Sequence, residues 1–575
     1  MTASGRRWRL RGRFPEGALE GAPYPTLMRH LLWHRGLRTA AEAQRFMEGP
    51  PTEYDPMLLP DIEVALSRLR EALRSGERIA VYGDFDVDGV TASALMVEGL
   101  SALGGDAFAY IPDRFSEGYG LNCGALDRLR NDGATLRVAV DCGTSSIVEV
   151  AHARELGMDV LILDHHSVPP ELPAATALVN PKRPDSRYPE SELASVGIAY
   201  KLMGALHESM GRSWDGDRQL DLVALGTVAD VAPLLNENRW LLKRGLAALG
   251  RSERPGLRAL MKASGIAAAR VDAESIGYGL APRLNAAGRL KHARLALELL
   301  LERDEGEALR RAEELTALNR ERQERTAAAL ELAAGLLADD DPDQTGPLLF
   351  LGHEDIPSGI VGLVAGRLAE ERHRPAGVSE RQAETGRASC RSIPEFDITG
   401  ALRGCAGLLE RFGGHRAAAG FTARNENLEP LNEGLMRAAE EALAGVELTP
   451  VIDIDAALPL GALRGRETRL LTQMGPFGQG NPEPTFLSRD VEVAECRIIG
   501  SDGKHLRLKL RDQYGAGGGV TWPAIAFGLG EAGVREGQRL DVVYSLAADR
   551  RGNGLELRVK DLAPAESGQN LEPRT

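Results

Sequence analysis

The sequence lacks the cysteine pattern of a disulfide-linked protein or of a thiolate metal site. Its five cysteines are an odd number, and none forms a C-x-x-C pair. Scattered cysteines of this kind favour a reducing compartment and argue against a Cys-type zinc site. The basic N-terminus is not followed by an apolar run, and no apolar stretch approaches about 18 residues, so neither a signal peptide nor a membrane span is predicted. We therefore expect a cytoplasmic protein.

The sequence also lacks an overall positive charge. With 83 acidic and 69 basic residues, the 575-residue chain has a formal charge of -14. Residues 51–235 hold 29 acidic against 15 basic side chains, whereas the first 50 residues hold nine arginines against four glutamates. The excess negative charge is thus confined to one segment. This excludes a uniform basic coat for nucleic acid, but it does not exclude local basic surfaces.

The segment from Arg78 to about Leu235 alternates short apolar runs with helical stretches. The predicted strands are RIAVYG, DAFAYIP, LRVAVDC and DVLILDHH, with ALVN as a fifth. The helices between them are predicted to begin near Thr91, Asn122 and Ser145. This alternation is typical of a doubly wound parallel α/β sheet, in which ligands bind beyond the carboxyl ends of the strands.

The rest of the chain predicts three further structural parts. The charged stretch from Asp304 to Leu337 is interpreted either as a helix that bridges two lobes or as a solvated surface helix. A smaller α/β unit follows, and then several short strands that favour a β-barrel of the OB-fold type. The predicted organisation is a basic N-terminal segment (1–50), a catalytic α/β domain (51–300), a connecting helix and linker (301–345), a second α/β domain (346–447), the barrel (448–565) and a disordered tail (566–575).

The clearest chemical signal is a group of three carboxylates, Asp84, Asp86 and Asp88, directly after the strand RIAVYG. We predict that they lie on a loop, with Gly89 permitting the turn into the next helix. Three carboxylates so close together repel one another unless cations are present. An EF-hand is excluded because Leu95 stands where a bidentate Glu is required and because a strand precedes the motif. A solvated acidic loop remains an alternative.

A second signal is Asp164-His165-His166, at the end of the run DVLILD. Adjacent histidines on an extended segment point to opposite sides, so we expect one to join a metal and the other to face a substrate. Asp141 and Asp230 supply two more carboxylates. In isolation, the His pair is compatible with an ordinary loop and Asp230 with an exposed helix end.

These oxygen and imidazole donors, without a thiolate, suit two hard divalent cations, magnesium or manganese, better than zinc. Two metals roughly 3.5 to 4 Å apart are the usual arrangement for phosphoester hydrolysis. The residues therefore predict metal-dependent phosphoryl hydrolysis.

The second half of the chain offers groups that suit phosphate. Gly413, Gly414 and His415 lie in a glycine-rich stretch with predicted exposed backbone N–H groups, and Ser389 and Arg391 lie in the polar stretch RASCRSI. Arg289 follows another run of small residues, NAAGR. Each signal alone is weak, because such glycine-rich loops are more often simple turns.

In their order along the chain, several motifs resemble the RecJ family of single-strand-specific DNA exonucleases in the DHH phosphoesterase superfamily. The matching motifs are GDFDVDG, PDRFSEGYGLN, VDCGTSS, DHH, VNPKRPDS, DLVALGTVADVAPL, PRLNAAGR, RSI, FGGHRAAAG and GPFGQGNPEP. The resemblance implies a DHH domain, a long connecting helix, a DHHA1 domain and an OB-fold. It also implies 5′-to-3′ degradation of single-stranded DNA to mononucleotides in recombination and repair, with a helicase and a single-strand-binding protein as candidate partners.

The resemblance assigns roles to individual residues. His166 would face the scissile phosphate, and Asp164 would act as a ligand or as an orienting group. The implied metal ligands are Asp84, Asp86, Asp88, Asp141, His165 and Asp230. The implied contacts to the 5′-phosphate and the adjacent backbone are Arg114, Arg289, Ser389, Arg391 and His415, and Gly413 and Gly414 of the glycine-rich stretch complete the predicted substrate-binding set.

The chain departs from the family pattern at two places. Phe85 stands where the family usually has Tyr, a change that should spare the ligands. Ile356-Pro357 stands where a Trp-His pair is common, which predicts some loss of DNA affinity or end selectivity.

Two other functions fit parts of the sequence. A DHH-family nanoRNase or cyclic-dinucleotide phosphodiesterase would share the metal site but not the barrel, whose basic residues between Lys504 and Arg511 favour a longer substrate unless they form a solvated edge strand. A non-catalytic DNA-binding subunit is disfavoured because no expected metal ligand is missing.

Overall fold

The structure is a computed structural model that describes residues 2–49, 53–338, 346–382, 384–500, 503–512, 519–549, 554–565 and 571–573. The chain forms two compact units, one made of Met1–Pro51 with Glu447–Thr575 and the other of Thr52–Val446. The predicted linker after the long helix falls mostly on residues 339–345, outside the described residues. None of the helices in the described ranges is long and apolar enough to cross a membrane.

The N-terminal part begins with strand β1 (Arg7–Leu10) and continues into helices α1 (Thr26–Trp33) and α2 (Ala40–Glu48). Helix α2 starts with a capping box, in which Thr39 and Glu42 each accept a hydrogen bond from the other's backbone N–H. These elements belong to the same unit as the C-terminal barrel described below.

The first lobe of the second unit contains the predicted parallel sheet. Its strands are β2 (Arg78–Gly83), β3 (Asp106–Tyr110), β4 (Leu136–Val140), β5 (Asp159–Leu163) and β6 (Ala177–Val179), all parallel in the order β3-β2-β4-β5-β6. Alternate residues of β4 enter different cores, Leu136 and Val138 on one face and Ala139 on the other. Both faces are thus covered, which confirms the doubly wound prediction.

Ten helices accompany this sheet. They are α3 (Ile62–Ser75), α4 (Val87–Ala102), α5 (Cys123–Asn131), α6 (Ile147–Glu155), α7 (Ser195–Ser209), α8 (Gly216–Ala229), α9 (Asn236–Leu249), α10 (Pro255–Ala263), α11 (Ala281–Leu290) and α12 (Arg294–Leu301). A π-helical turn (Ser275–Leu280) leads directly into α11.

Helix α13 (Glu305–Ala338) is the predicted long helix, and it contributes to two cores. Ala308, Ala312 and Leu315 are buried in the core of the first lobe, whereas Ala329 and Ala333 are buried in the core of the second lobe. Of the two interpretations of this segment, the bridging helix is correct.

The second lobe is a smaller α/β layer. Its strands are β7 (Leu349–His353), β8 (Ala376–Arg381), β9 (Thr385–Arg391), β10 (Arg411–His415) and β11 (Ala418–Arg424), and its helices are α14 (Val361–Arg372), α15 (Ile398–Gly404) and α16 (Leu428–Ala442). The sheet order is β10-β11-β9-β8-β7, so β10 is an edge strand.

The C-terminal part closes into a five-stranded barrel. Its elements are β12 (Val451–Ile454), β13 (Ala456–Ala457), α17 (Arg466–Gln473), β14 (Phe486–Ile499), β15 (His505–Asp512), β16 (Val520–Ala526), β17 (Arg539–Ala548), β18 (Leu555–Pro564) and β19 (Leu571–Pro573). Pairing runs β14-β15-β16-β18-β17 and returns to β14, which confirms the predicted OB-type barrel.

The basic N-terminal segment packs on this barrel. Strand β1 pairs in parallel with both β12 and β19, and Met28, Leu31 and Leu32 of α1 lie in the barrel core. Three of the basic residues form ion pairs within the unit, namely Arg7 with Glu447, Arg9 with Asp453 and Arg11 with Asp455. The predicted disordered tail lies mostly outside the described residues, but Leu571–Pro573 form β19.

Candidate active site

Three carboxylates lie at the carboxyl edge of the first-lobe sheet, as predicted. Asp84 directly follows β2, Asp141 follows β4 and Asp164 follows β5. Because β4 lies between β2 and β5 and all three strands are parallel, their ends bring these residues to one place.

Helix α4 begins earlier than predicted, at Val87 and not near Thr91. Asp86 is its N-cap, and Asp86 Oδ1 accepts from the backbone N–H of Asp88 at 2.9 Å. Asp88 is therefore in the first helical turn and not on a loop. Gly89 also has another role than a turn, because a Cβ there would lie 2.6 Å from the backbone nitrogen of Asp84. Glycine lets the helix pack against the end of β2.

The six predicted metal ligands converge in overlapping groups. Asp84, Asp86 and Asp141 form one group, and Asp88, His165 and Asp230 form another; within each group, the candidate ligand atoms lie within 4.8 Å of one another. His165 Nε2 lies 3.3 Å from Asp141 Oδ1, and His165 Nδ1 lies 3.6 Å from Asp230 Oδ2.

Asp230 takes part from the C-cap of α8. Since Asp141 also forms a third group with His165 and His166, both imidazoles lie within reach of one carboxylate. The expectation that one imidazole joins a metal and the other faces a substrate stays a prediction.

The electrostatics of these groups fit divalent cations. Burial and the neighbouring carboxylates raise the pKa of Asp88 to about 7 and that of Asp230 to about 8. Burial, followed by the charge of His166, lowers the pKa of His165 to about 3, so this imidazole is neutral, as a metal ligand must be. Asp84 Oδ1 and His165 Nε2 are buried and have no hydrogen-bond partner. Buried carboxylates with unsatisfied atoms and a neutral imidazole suit magnesium or manganese.

His166 and Asp164 form a separate pair beside these groups. His166 Nδ1 lies 2.7 Å from Asp164 Oδ1, and Asp164 Oδ2 accepts from the backbone N–H of Thr144 at 2.9 Å. Burial opposes protonation of His166, but the hydrogen bond and charge of Asp164 outweigh it and raise the pKa of His166 to about 9. Because both oxygens of Asp164 accept hydrogen bonds, this carboxylate holds the imidazole in place.

The sequence did not single out three polar residues that contact these groups. The Tyr119 hydroxyl lies 3.3 Å from His166 Nε2, Asn180 Nδ2 donates to the carbonyl of His166, and Ser195 Oγ donates to Asp141 Oδ1. Tyr119 and Asn180 lie in two of the family motifs, EGYGLN and VNPKRPDS, which could have identified them. Ser195 has no comparable signal.

Four guanidinium groups gather at Arg289, and two of them, Arg114 and Arg289, interact with the carboxylate of Asp86. Arg114 lies over the ring of Phe85, with its Cζ 4.6 Å from the ring centroid, so the Phe85 departure preserves an aromatic support. Burial, followed by the charges of Arg114, Arg322 and Arg391, lowers the pKa of Arg289 to about 9. Arg322 on α13 was not predicted, because the alternating charges of that helix do not reveal which side chains face the lobes. A concentration of cations of this kind is suited to phosphate.

The second lobe presents the other predicted phosphate groups on its sheet. On β9, Arg391 Nη1 donates to Ser389 Oγ at 2.7 Å. Strand β11 lies between β9 and β10. Across it, Arg391 of β9 is in register with His415 of β10, and Ser389 of β9 is in register with Gly413 of β10. His415 Nδ1 lies 3.3 Å from Ser167 Oγ, next to His166 along the chain. Second-lobe residues thus reach the carboxylate edge of the first lobe.

The glycine-rich stretch was predicted as a loop, but it forms the edge strand β10. Gly414 has a φ of 149°, and a Cβ there would lie 2.3 Å from the carbonyl oxygen of Ala418, so only glycine fits. Nothing lies within 4 Å of a Cβ placed on Gly413. Since an edge strand has unpaired backbone groups on its outer side, part of the predicted N–H surface remains.

The replacement of Trp-His by Ile356-Pro357 has two structural consequences. Ile356 is fully buried in the core of the second lobe, whereas Pro357 lines a cleft together with Arg289. Two residues later, a Cβ on Gly359 would lie 2.1 Å from the carbonyl oxygen of Arg289. The backbone of this segment therefore approaches α11 closely.

The basic side chains of the barrel strand β15 are largely paired. Lys509 Nζ lies 2.7 Å from Glu495, Arg511 lies 3.6 Å from Glu492, and Arg507 lies 4.0 Å from Glu556. This cross-strand pairing weakens the argument that β15 by itself is a nucleic-acid surface.

Comparison with known protein families places three domains along the chain. The model of the DHH family, N-terminal domain, matches residues 78–227, the DHHA1 domain matches residues 345–444, and the RecJ OB domain matches residues 454–561.

Comparison with individual proteins agrees with these matches. The chain is 35% identical to the single-stranded-DNA-specific exonuclease RecJ of Escherichia coli over 573 residues, which covers 94% of this chain and 96% of that protein. It is 35% identical to RecJ of Bacillus subtilis over 547 residues, which covers 94% and 68%. A crystal structure of RecJ from Thermus thermophilus in complex with Mn²⁺ matches with a TM-score of 0.81 and 31% identity, covering 98% of this chain and 80% of that one. The chain therefore belongs to the RecJ family.

Proposed function

We propose that this chain is a metal-dependent exonuclease that hydrolyses single-stranded DNA in the 5′-to-3′ direction to mononucleotides. The observation that carries the proposal is the convergence of six carboxylate and imidazole ligands next to four arginines from separate elements. RecJ relatives are single-stranded-DNA-specific exonucleases by name, and RecJ structures are in complex with Mn²⁺ or Mg²⁺. The RecJ name also supports a role in DNA recombination and repair.

Two divalent cations, manganese or magnesium, would be held by one set of side chains. This set is Asp84, Asp86, Asp88, Asp141, His165 and Asp230. Asp141 belongs to two of the three groups, as does His165, and we propose Asp141 as the shared ligand because each of its two carboxylate oxygens can bind a cation. When bound, the cations supply the charge that activates a water molecule and neutralises the phosphoryl oxygens.

His166 would act on the substrate. Asp164 fixes the orientation of its imidazole, and the hydrogen bond and charge of Asp164 favour the protonated ring. A protonated imidazole at the substrate side of the ligands can donate a hydrogen bond to the scissile phosphate. Tyr119, whose hydroxyl lies 3.3 Å from both ring nitrogens, would help to hold the same orientation.

The terminal 5′-phosphate and the adjacent backbone would be bound by the cationic groups. Arg114, Arg289 and Arg391 supply charge, and Ser389 and His415 supply hydrogen bonds. Gly413 leaves room for a strand to approach the backbone of β10, whereas Gly414 lets β10 pack closely against Ala418.

A nuclease assay tests this proposal. With Mn²⁺, the protein should shorten 5′-phosphorylated single-stranded DNA to mononucleotides, spare blunt duplex and stop when a chelator is added. Strands labelled at the 5′ or the 3′ end establish the direction, because a 5′ label is released first. Asp86→Ala should abolish activity, whereas Asp106→Ala, at the opposite end of the same sheet, should retain it. Retained activity in Asp86→Ala would contradict the site.

A second assay tests the phosphate contacts. Replacing Arg391 by Gln should raise KM for a 5′-phosphorylated strand by about tenfold, because a charge-assisted contact to phosphate is lost. The same change should have little effect on a 5′-hydroxyl strand. Equal losses on both strands would move Arg391 out of the terminal-phosphate site.

The alternative functions are not favoured. The match to the RecJ OB domain extends the resemblance beyond the two lobes that a nanoRNase or cyclic-dinucleotide phosphodiesterase would share. The presence of every predicted ligand argues against a non-catalytic subunit. Digestion restricted to dinucleotides would revive the first alternative.

The cellular setting is proposed from the resemblance. We propose a cytoplasmic enzyme that acts with a helicase and a single-strand-binding protein. Co-purification of either protein with the full chain, lost when the barrel residues are deleted, tests the partnership.

A further inference from the structure

A cleft of about 320 Å³ lies beyond the four arginines, between the first lobe, α13 and the second lobe. Three of the residues that line it are arginines, Arg289 from α11, Arg325 from α13 and Arg387 from β9. Arg289 also belongs to the arginine group next to the metal ligands, so the cleft continues directly from the proposed terminal-phosphate site. The remaining polar lining is Ser358, Gln382 and Glu380.

Arg325 and Arg387 of the cleft lie on the same two elements as Arg322 and Arg391 of the group next to the metal ligands. Arg325 is three residues after Arg322 on α13, about one helical turn. On β9, one face carries the alternate residues Arg387, Ser389 and Arg391. Each is about 6.6 Å from the next along the strand. Positively charged side chains thus extend from Arg391 to Arg387 and Arg325, with the Ser389 hydroxyl between the first two.

We propose that this cleft binds a linear polyphosphate, specifically the additional phosphates of a strand that ends in a 5′-triphosphate. The inference rests on the proposed function, since the first phosphate would occupy the terminal-phosphate site. Guanidinium groups recognise phosphate oxygens, and the cleft is at the small end of ligand sites, which suits phosphoryl groups better than further nucleotides.

The existing contacts of the cleft residues leave this role open. Arg387 Nη1 donates to the carbonyl of Phe115 at 3.0 Å, which fixes the side chain between the lobes, and Arg325 pairs with Glu321 on the exposed side of α13. Glu380 is opposite Arg387 in the sheet and accepts from Gln382. Its carboxylate opposes an anionic ligand, so its removal should strengthen binding.

Hydrolysis of such a strand has a defined product. Water adds to the phosphorus of the first diester, the bond to the 3′ oxygen of the terminal nucleotide breaks, and that oxygen takes up a proton. The products are a nucleoside 5′-triphosphate with a 3′-hydroxyl and a strand with a new 5′-phosphate. The nucleoside triphosphate is separable by ion-exchange chromatography.

Equilibrium binding of 3′-labelled strands tests the proposal. The full chain carrying Asp86→Ala, which prevents cleavage, is titrated with identical strands that end in a 5′-monophosphate or a 5′-triphosphate. The triphosphate strand should bind about tenfold more tightly, as expected for one or two added charge-assisted contacts. Arg325→Gln and Arg387→Gln should each remove most of this preference and leave monophosphate binding unchanged, whereas Glu380→Gln should increase the preference. The matched control is Arg320→Gln, an exposed arginine of the same helix paired with Glu324.

Three outcomes overturn the inference. Equal or weaker binding of the triphosphate strand does so directly, and a preference that survives both arginine changes moves the site elsewhere. Inorganic tripolyphosphate that stabilises the protein, without any preference for the triphosphate strand, shows that the ligand is a free polyphosphate. If the wild-type protein neither binds nor cleaves the monophosphate strand, the proposed function itself fails; if it does both without a triphosphate preference, only this inference fails.

Discussion

Among the buried charges of the first lobe, two groups differ in how their charges are compensated. Around Arg254, every guanidinium nitrogen has a partner: Nη1 and Nη2 bind Glu98 at 2.6 and 2.7 Å, and Nε lies 3.1 Å from Asp221. Gln219 and Ser252 complete this closed cluster.

The open cluster at the sheet edge is compensated only in part: the charges of Arg114 and His166 oppose the raised pKa of Asp84, but Asp84 Oδ1 is buried without a hydrogen-bond partner. Asp84, Asp86, Asp88, Asp141 and Asp230 face each other and one neutral imidazole, His165, and burial with mutual repulsion raises the pKa values of Asp84 and Asp141 well above their usual range. A buried ion pair stabilises a fold only if both charged side chains are present. Buried charges that are not fully compensated are typical of a site that is completed by a ligand. The closed cluster therefore holds helices together, and the open cluster is the one that we propose for catalysis.

The largest expected effect separates activity from stability in the open cluster. Asp141→Asn keeps the shape of the side chain but removes the proposed shared ligand, so nuclease activity should fall by about a thousandfold or more. Without metal, the free energy of unfolding should stay equal or increase, because a carboxylate repelled by Asp84 and Asp86 has been removed. Rates on single-stranded DNA and urea unfolding in chelator measure the two quantities. A destabilised Asp141→Asn protein would contradict the distinction.

The opposite pattern is expected in the closed cluster. Arg254→Met leaves Glu98 and Asp221 buried without a counter-charge, which should destabilise the lobe by about 3–5 kcal/mol. The control is Arg258→Met on the same helix, whose exposed pair with Glu305 should contribute no more than about 1 kcal/mol. Activity per folded molecule should be unchanged in both variants. Loss of activity in folded Arg254→Met protein would show that the closed cluster also serves the reaction.

The sequence predicted the open cluster better than the closed one, for a physical reason. Asp84, Asp141 and Asp164 each follow an apolar strand, and parallel strands must deliver their ends to one edge. Glu98, Asp221 and Arg254 lie on or next to three different helices, and nothing in their local sequence shows that they meet.

Other features depended on contacts that a local pattern does not contain. The pairing of β1 with β12 joins residues more than 400 positions apart, so the sequence predicted only a basic N-terminal segment and not its place on the barrel. The start of α4 was misplaced because Gly89 suggested a turn, whereas it permits close packing. Arg322 was missed because a helix with charges all round does not indicate its inner face.

Metal binding should distinguish the clusters by ligand-linked stability. Mn²⁺ at about a hundred times its dissociation constant should stabilise the native protein by about 2.7 kcal/mol and raise the unfolding temperature, and a chelator should reverse the shift. Asp88→Asn should lose most of this shift. Arg254→Met and Asp127→Asn, an exposed carboxylate of the same lobe, should keep it. An equal shift in Asp88→Asn would show that the cation binds elsewhere.

The smallest effect is the acid response of the closed cluster. Burial raises the pKa of Glu98, but the hydrogen bonds and charge of Arg254 outweigh burial and bring the pKa below its usual value. A depressed native pKa gives stability that is present above the unfolded value of about 4.3 and is lost as pH falls through the native value. Burial raises the pKa of Asp221, so its contribution has the opposite sign.

Glu98→Gln isolates the loss of stability at low pH that comes from protonation of Glu98. Between about pH 5 and pH 3, the variant should lose stability less steeply than the wild-type protein in chelator, because one fewer carboxylate must take up a proton on unfolding. The measurement is the urea midpoint as a function of pH, with Glu305→Gln as an exposed control that should leave the slope nearly unchanged. An identical slope in Glu98→Gln would mean that Arg254 does not hold Glu98 ionised, and the closed cluster would then be compensated by burial of neutral groups and not by paired charge.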